Sequence, residues 1–507
     1  MTTDLLLGVD VGATGIKTGF FSPDGKLVAL AGRRNGPVSQ PGGEANWLIW
    51  DADDIWGKIC QCIRECLPKI GDPARVRAVA CTGFGADGVP MSTDGERLYP
   101  FISWHDSRTL PQCQELSKRV GDSTIFGVTG YHNYSINTLN RLLWYRQNRP
   151  DILEKTHRWL QMQDYIAFRF SGEYTTECTI ASTTMMLNLS SRSWSTTLLN
   201  AAGIDPDILP STVEAGTQIG AITAQAAKET GLRAGTPVVT GGHDCEIAVL
   251  GAGVSDPSTF IDITGTWEIL IASLDYFRPE QTHFEHGLDF ECHALPGKWI
   301  CQSLMIAGGV IEWVRGQFYR DVAEEQVYAA MFGDAEQPSG GVYVLPSFMR
   351  GMGPAASQNA LGTVLGLTTA TTRGQVVRAA LEGLCFQLRQ QVEAIQHAVG
   401  MTAQRLRVVG GGQKNPLWLQ MKADMTGLPV EVTTHPEITL LGVALLAGVG
   451  AGVYADVEQA LGQIAFPVET VEPNADARDG YAERYARVYS HIAQDLCGVY
   501  EAVARNL

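Results

Sequence analysis

The feature of this sequence that most restricts its fold is a strand–turn–strand unit that occurs twice. The segment LLLGVDVGATGIKTGFF, residues 5–21, consists of an apolar strand, a turn of small residues and a second apolar strand. The segment STFIDITGTWEILIAS, residues 258–273, has the same layout. Later in each half a strand enters a glycine-containing turn, as VRAVACTGFGADG at 76–88 and LRVVGGGQKNPLWLQ at 406–420. We therefore predict an internal duplication with its boundary near residues 247–258.

The chain length agrees with this duplication, because 507 residues are too many for one ordinary domain. We predict an N-terminal domain at 1–248 and a C-terminal domain at 249–507. Strands alternate with helices such as DADDIWGKICQCIRECL, which has Asp51 or Asp53 as its N-cap, and this alternation indicates an α/β fold. No long linker separates the halves, which favours a hinge between packed domains with a cleft between them.

The charge balance argues against nucleic-acid binding, and the hydropathy pattern argues against a membrane span. The formal net charge is -16 and the pI is near 5.1, whereas non-specific nucleic-acid binding requires basic patches. An acidic chain can still bind a small anion where glycine turns, helix N-termini or a metal ion create a local site. The longest uncharged run, ITLLGVALLAGVGAGVYA at 438–455, is short and rich in glycine, so we predict a packed helix and no membrane span.

Cysteine usage and the N-terminus indicate a cytoplasmic protein. The eleven cysteines are scattered, odd in number and without a zinc-type spacing, which favours reduced structural thiols. The start MTTDLLLGVDVG has no basic region typical of a signal peptide. The sequence leaves open whether the chain forms a homo-oligomer.

The first candidate site is the turn in GVDVGATGIK. Asp10 ends a strand, and the following turn with Gly12 and Thr14 offers backbone N–H groups and a hydroxyl to a phosphate. Lys17 adds positive charge. A carboxylate beside a phosphate would repel it unless a cation lay between them, so we predict Mg²⁺ with a nucleotide, with Asp10 at the metal. The alternative is a plain β-hairpin with a capping aspartate.

Two further turns extend this interpretation. Gly265 and Thr266 in DITGTWE repeat the small hydroxyl turn, so that two turns would hold a polyphosphate from both sides of a cleft. The alternative is two unrelated hairpin turns. Gly411 and Gly412 in VVGGGQKN follow a strand and permit close approach of a flat ring or a phosphate. This is not a GxGxxG pattern, so a dinucleotide-binding fold is disfavoured.

In order and spacing, GVDVGATGIK, DITGTWE and VVGGGQKN resemble the two phosphate motifs and the adenosine motif of the sugar-kinase, actin and heat-shock chaperone superfamily. Along essentially its whole length the chain resembles the FGGY carbohydrate kinases. The segment GTVLGLTTATTRGQVVRAALEG, 362–383, fits that family's C-terminal signature. The N-terminal signature is looser, because Arg141 in SINTLNRLLWYRQN stands where the family usually has lysine.

The resemblance implies a fold and an activity. The fold would be two actin-like (ribonuclease H-like) ATPase domains with an interdomain cleft. The reaction would be ATP-dependent phosphorylation of a sugar hydroxyl with Mg²⁺ as cofactor. The motifs GTWEIL, TGFGADG and GGVIEWVRGQFY are most similar to those of members that phosphorylate L-fuculose, with rhamnulose next. The expected substrate is a ketose such as L-fuculose, phosphorylated at its primary hydroxyl. The ATP-binding residues would be Gly12, Thr14, Lys17, Gly265, Thr266, Gly309, Gly411, Gly412 and Asn415.

The stretch TGGHDCEIAVLGAG would supply the base. The resemblance assigns this role to Asp244, because a carboxylate within hydrogen-bond reach can take the proton of a sugar hydroxyl as it attacks the γ-phosphate. A helix N-cap is the alternative. His243 would contact the sugar or simply pack, and metal binding by His243 is not expected, since no second histidine has suitable spacing.

The remaining sugar-binding residues are predicted from TGFGADG and SWHDSR. Asp87 would accept hydrogen bonds from sugar hydroxyls, and Trp104 would stack on the sugar, with Asp106 and Arg108 forming a polar rim. Trp104 could instead belong to the core, and Asp106 and Arg108 could form a local ion pair. The alternative functions are a kinase for rhamnulose, xylulose or ribulose, and a nucleotide-dependent sugar sensor without turnover.

Overall fold

The structure is a computed structural model that describes residues 4–254, 256–349, 353–354 and 360–505. Its strands are β1 (Leu5–Val11), β2 (Gly15–Phe21), β3 (Leu27–Arg34), β4 (Val38–Ser39), β5 (Leu48–Trp50), β6 (Val76–Gly83), β7 (Gly88–Met91), β8 (Phe101–Ile102), β9 (Arg158–Gln161), β10 (Thr176–Glu177), β11 (Leu187–Asn188), β12 (Ser193–Trp194), β13 (Thr212–Val213), β14 (Gln218–Ala221), β15 (Pro237–His243), β16 (Thr259–Thr264), β17 (Trp267–Leu274), β18 (Asp289–Cys292), β19 (Trp299–Ile306), β20 (Tyr343–Leu345), β21 (Thr363–Leu365), β22 (Arg405–Gly410), β23 (Val430–Thr433) and β24 (Val468–Val471).

The helices alternate with these strands. They are α1 (Ala52–Ile70), α2 (Leu110–Val120), α3 (Asp122–Thr129), α4 (Thr138–Asn148), α5 (Pro150–Lys155), α6 (Met162–Ser171), α7 (Cys178–Ser182), α8 (Thr196–Ala202), α9 (Ala224–Thr230), α10 (Asp244–Gly251), α11 (Gln281–Glu285), α12 (Gly308–Phe318), α13 (Val327–Asp334), α14 (Arg373–Val399), α15 (Pro416–Thr426), α16 (Ile438–Gly450), α17 (Val457–Gln463), α18 (Ala475–Arg484), α19 (Ser490–Asp495) and α20 (Cys497–Ala504). As predicted, α1 has Asp51 as its N-cap, accepting from the backbone N–H groups of Asp53 and Asp54.

Two sheets with the same internal order form the framework. The first has the order β14-β15-β6-β1-β2-β3 and the second β18-β19-β17-β16-β22-β23-β24. In the first sheet β1 is antiparallel to β2 and parallel to β6, and β6 is parallel to β15. In the second sheet β16 is antiparallel to β17 and parallel to β22, and β22 is parallel to β23. The predicted duplication and the α/β fold class are confirmed by this repeated topology.

The two halves are joined by a pair of crossing helices. Helix α10 leaves the first sheet, but its Val249 shares a core with Ile261 and Ile271 of the second sheet. Helix α16 leaves the second sheet and packs on the first, where Leu440 lies beside Leu6. The apolar run at 438–455 is therefore a packed helix, as predicted. Among the described residues, no helix is long and apolar enough to cross a membrane.

Two glycines allow these helices to cross in backbone contact. A Cβ on Gly251 would lie 1.8 Å from the carbonyl oxygen of Ile438, and one on Gly442 would lie 2.2 Å from that of Ile247. Neither backbone can move away without separating a helix from its sheet. The eleven cysteines are all free thiols, and eight of them are buried, in agreement with the predicted structural role.

We expect Gly251→Ala to lower the free energy of unfolding by about 1–3 kcal/mol or more, because the added methyl group overpacks the helix crossing. The matched control is Gly57→Ala in α1, where a Cβ would meet no atom within 4 Å. That change should be neutral or stabilise by up to about 1 kcal/mol, since alanine is the better helix former. Urea denaturation of both variants measures the difference, and equal midpoints would contradict the crossing argument.

Candidate active site

The predicted site residues gather where the parallel strands of each sheet end. Asp10 lies near the carboxyl end of β1, Gly83 ends β6, and His243 ends β15 immediately before Asp244. In the second sheet Thr264 ends β16 and Gly410 ends β22. The carboxyl ends of parallel strands are the usual position of ligands in open α/β sheets. The carboxyl ends of the parallel strands in both sheets therefore supply candidate binding groups.

Hydrogen bonds to backbone carbonyls hold the predicted phosphate-binding turn at residues 12–15. The N–H of Gly12 donates to the carbonyl of Gly15 (2.9 Å), and the backbone N–H of Asn35 donates to the carbonyl of Thr14 (3.0 Å). The side-chain amide of Asn35 donates to the carbonyl of Gly12 (2.9 Å). Thr14 is exposed at the tip of this turn. The turn is rigid and leaves a hydroxyl free for a ligand.

Asp10 carries an unsatisfied carboxylate. Its Oδ1 is buried without a hydrogen-bond partner. Burial, with a further contribution from the Asp244 carboxylate, raises the pKa of Asp10 to about 7. The carboxylates of Asp10 and Asp244 repel each other, and one oxygen of Asp10 has no partner. Such a pair suits a hard divalent cation such as Mg²⁺. The residues present therefore fit the predicted metal.

A buried aspartate on the first strand of the second sheet is neutralised by a lysine. Asp262 on β16 receives a hydrogen bond from Lys422 Nζ (2.5 Å), which also contacts Thr264 Oγ1 (2.6 Å) and Glu268 Oε1 (2.9 Å). All of these side chains are buried. The strand registers pair Val11 with Gly83 and Thr264 with Gly410, so Asp262 lies one residue before the position that corresponds to Asp10. Sequence reasoning missed Lys422 and Glu268.

Lys17 reaches across to the other half of the chain. Its Nζ lies 2.7 Å from Glu437 Oε2, at the N-terminus of α16. Glu437 has a left-handed backbone (φ 54) and uses its side chain for this ion pair instead of a helix cap. A non-glycine residue in this conformation is strained and is often found at functional sites. Glu437 was not identified from the sequence.

Asp244 is the first residue of α10 and is partly exposed, at 30% of its side chain. The N-cap position belongs to His243, and in the described part of the chain no backbone N–H donates to the Asp244 carboxylate. Its Oδ1 accepts from Cys245 Sγ (3.4 Å) and lies 3.5 Å from His243 Nε2. The geometry therefore does not support the alternative role of Asp244 as a helix cap.

His243 is fixed by a buried carboxylate of the second half. Its Nδ1 lies 2.9 Å from Glu291 Oε2, and Glu291 also accepts from Tyr131 and from Gln302 (2.6 Å). Burial works to lower the pKa of His243, but the Glu291 carboxylate outweighs it and the pKa rises to about 9. Sequence reasoning missed Glu291 because it lies on β18, far from the motifs.

Three predicted sugar-binding residues require correction. Asp87 is wholly buried, and its oxygens accept from Arg141 Nη1 (2.5 Å), Trp50 Nε1 (2.5 Å) and the Trp104 N–H (2.9 Å). All of these interactions lie inside the protein, so Asp87 does not line the cleft. Asp106 and Arg108 do not form an open rim but a buried ion pair (2.6 Å), the alternative considered above.

Trp104 remains accessible. It is half-buried, packs at the edge of the first core and stacks on exposed His105 with ring centroids 3.6 Å apart. Its indole can therefore offer a face to a ligand, although its backbone N–H is bonded to Asp87. Asp87 and Arg141 support the loop of Trp104 from beneath, which is a structural role.

A cavity of about 520 Å³ lies at the strand ends of the second sheet. The predicted residues that line it are Gly265, Gly411, Gly412 and Asn415. A Cβ on Gly412 would meet the Thr264 side chain at 2.6 Å, so glycine is needed for this close approach. Asn415 caps α15 with its Oδ1, whereas its buried Nδ2 has no partner.

The second phosphate turn closes one wall of this cavity. The N–H of Gly308 donates to the Gly265 carbonyl (3.0 Å), and the N–H of Gly309 donates to the Thr266 carbonyl (3.2 Å). Helix α12 therefore begins directly on the turn. Apolar residues Ile311, Phe332 and Trp418 complete the lining, which suits a flat ring beside a polar, phosphate-sized turn.

Comparisons with known proteins assign both halves of the chain to one family. Residues 5–251 match the N-terminal domain of the FGGY family of carbohydrate kinases, and residues 263–451 match its C-terminal domain. The chain is 33% identical to L-fuculokinase of Escherichia coli (strain K12), covering 94% of this chain and 98% of that protein. It is 29% identical to autoinducer-2 kinase of Klebsiella pneumoniae, covering 97% of this chain and 94% of that protein.

The fold also has a match among solved structures. The xylulose kinase from Rhodospirillum rubrum superimposes with a TM-score of 0.87 at 24% identity, covering 98% of this chain and all of that one. The likeness extends over both sheets, so the two-domain architecture predicted from the sequence is confirmed.

Proposed function

The chain belongs to the FGGY family of carbohydrate kinases, and on that premise we propose that it transfers the γ-phosphate of ATP to the primary hydroxyl of L-fuculose. Phosphate transfer to a sugar follows from the family. The nucleotide, the sugar and the residues that act are our proposal. Residues 1–248 would bind mainly the sugar and residues 249–507 mainly the nucleotide.

The observation that carries the proposal is the Asp244 carboxylate, to which no backbone N–H of the described residues donates. It is partly exposed at the head of α10, and it faces Asp10 closely enough to raise the Asp10 pKa. Asp244 would accept the proton of the sugar hydroxyl as the oxygen attacks phosphorus. A positioned carboxylate contributes typically 10²–10⁴ in rate. The His243–Glu291 pair would hold the neighbouring imidazole in place.

The nucleotide would occupy the cavity of about 520 Å³ in the second half. Its ring would lie near Gly411 and Gly412, and its phosphates would be bound by the turns with Gly265 and Thr14. Asp10 would hold the water shell of Mg²⁺ through its unsatisfied oxygen. When bound, the metal would neutralise charge that develops on the transferred phosphoryl group.

We expect L-fuculose to be preferred over rhamnulose, xylulose, ribulose and the autoinducer-2 ketone by at least about tenfold in kcat/KM. A site that binds hydroxyls at fixed positions rejects analogues that leave its buried polar groups unpaired. A coupled ADP-release assay with this panel measures the preference. The identity of 33% to an L-fuculokinase supports the choice of sugar.

The panel also separates the alternatives. Preference for another ketose would retain the kinase and replace its substrate. No turnover with any sugar, together with sugar binding in calorimetry, would favour a nucleotide-dependent sensor. The accessible carboxylate of Asp244 favours the enzyme, because a sensor has no need of a base.

We expect Asp10→Asn to raise the Mg²⁺ concentration for half-maximal activity by about 10- to 100-fold, the usual effect of losing a group that holds a metal's outer shell. Binding of the sugar should be unchanged. Kinetic titration with Mg²⁺ measures the metal requirement, and calorimetry measures the affinity for the sugar. An unchanged Mg²⁺ requirement would remove Asp10 from the metal site.

A further inference from the structure

Three consecutive side chains at the junction of β15 and α10 offer an imidazole, a carboxylate and a thiol to one small space. Their ligand atoms all lie within 4.8 Å of one another, in His243, Asp244 and Cys245. His243 Nε2 and Cys245 Sγ are 3.5 Å and 3.4 Å from Asp244 Oδ1. Ligand atoms around tetrahedral zinc are separated by roughly 3.3–3.6 Å, given Zn–N and Zn–S bonds of about 2.0 and 2.3 Å. We propose that these residues form an inhibitory site for a thiophilic divalent cation such as Zn²⁺.

A second observation supports the site independently. The other ring nitrogen of His243 is bonded to Glu291 Oε2 at 2.9 Å. Glu291 is wholly buried and is itself fixed by Tyr131 and Gln302. Metal-binding histidines characteristically donate their second N–H to a carboxylate, which fixes the tautomer and directs the free nitrogen at the metal. No second histidine is needed, because Cys245 supplies the third ligand.

The surroundings favour a cation at this position. The backbone N–H of His243 donates to Thr179 Oγ1 (2.8 Å), whose hydroxyl donates to the buried carboxylate of Glu177 (2.6 Å). Buried carboxylates therefore lie on more than one side of the imidazole. Asp244 keeps 30% of its side chain exposed, so its carboxylate is accessible to a cation. A water would be the fourth ligand.

The chemistry distinguishes this site from the magnesium site at Asp10. Thiolate and imidazole select zinc-like cations, whereas Mg²⁺ prefers oxygen ligands. Binding would release the protons of the thiol and the imidazole. It would also occupy the carboxylate that the proposed function assigns as base, so inhibition would be competitive with the sugar and not with Mg·ATP. Metal binding does not depend on the proposed function, but the inhibition does.

The test is calorimetric titration of the metal-free protein with ZnCl₂, without Mg²⁺ or nucleotide. We compare the wild type with Cys245→Ser and with the matched control Cys497→Ser, which removes an exposed thiol. Wild type and control should bind one Zn²⁺ with equal affinity. Cys245→Ser should bind at least 10- to 100-fold more weakly, since the loss of an outer-shell partner alone has that effect.

Titration with Co²⁺ gives a readout that does not depend on affinity. A sulfur-to-cobalt charge-transfer band should appear in the wild type and the control and be absent from Cys245→Ser. Cys245→Ala serves as a second variant if serine perturbs folding, which thermal unfolding reports. Equal Zn²⁺ affinity of the wild type and Cys245→Ser, or loss of binding in Cys497→Ser instead, would overturn the site. Binding without inhibition would overturn the inhibitory role and, with it, Asp244 as the base.

Discussion

Asp244→Asn is expected to lower kcat by roughly 10²–10⁴, with little change in the affinity for sugar or Mg·ATP. The substitution keeps the size of the side chain and most of its hydrogen bonds but removes the proton acceptor. In the described structure the carboxylate caps no backbone N–H group, so the loss should be catalytic and not structural. Steady-state kinetics and separate calorimetric titrations with sugar and with a non-hydrolysable ATP analogue measure the two quantities.

Asp10→Asn is the comparison variant that distinguishes loss of the base from loss of the metal site. Both variants remove one of two carboxylates that face each other, but they should fail differently. Asp10→Asn should be restored in part by added Mg²⁺, whereas Asp244→Asn should not respond to it. A near wild-type kcat for Asp244→Asn would exclude Asp244 as the base. Recovery of Asp244→Asn by Mg²⁺ would instead assign it to the metal.

The sequence predicted those parts of the fold that depend on short-range patterns. Apolar strands, glycine turns and the helix cap at Asp51 are each determined by a few neighbouring residues, and all are found in the structure. Pro150 likewise acts locally, because α4 ends at Asn148 and α5 begins at the proline. The duplication explains why the two sheets share one strand order, because a repeated sequence pattern folds into a repeated topology.

Asp87 shows where the same reasoning fails. It follows a strand and a glycine turn, as a ligand would, but the sequence does not reveal that Arg141 of α4 approaches it from the interior. The partner lies 54 positions away in the sequence. The substitution of arginine for the family's usual lysine at Arg141 was the available signal. Burying a long charged side chain requires a carboxylate beside it.

Glu291, Glu437 and Lys422 were missed for the same physical reason. Each acts through a partner that only the tertiary fold brings near, and none lies in a recognisable motif. Asp262 offered one clue. It stands inside the apolar strand segment FIDIT at 260–264, where a buried carboxylate needs a cation as its partner. The structure provides Lys422.

Lys422→Met is expected to lower the free energy of unfolding by about 3–5 kcal/mol, because removing one partner of a buried ion pair leaves the other uncompensated. Lys422 contacts both Asp262 and Glu268, and all three side chains are almost wholly inaccessible. The change should also loosen Thr264, which Lys422 holds at 2.6 Å on the wall of the cavity proposed to bind the nucleotide. Urea denaturation and nucleotide-analogue calorimetry measure the two effects. Unchanged stability would contradict a charged network.

Glu268→Gln is the matched variant, and pH distinguishes its effect from that of Lys422→Met. Burial, followed by the charge of Asp262, raises the pKa of Glu268 from 4.5 to about 8. Between these values only the folded protein holds this proton, so the wild type loses stability as pH rises, by at most about 1.4 kcal/mol per pH unit from this group. Glutamine cannot ionise and lacks this loss. The stability of Glu268→Gln relative to the wild type should therefore increase from pH 5 to pH 8. A difference that is independent of pH would show that Glu268 is already ionised in the folded protein, and Lys422 would then neutralise two negative charges instead of one.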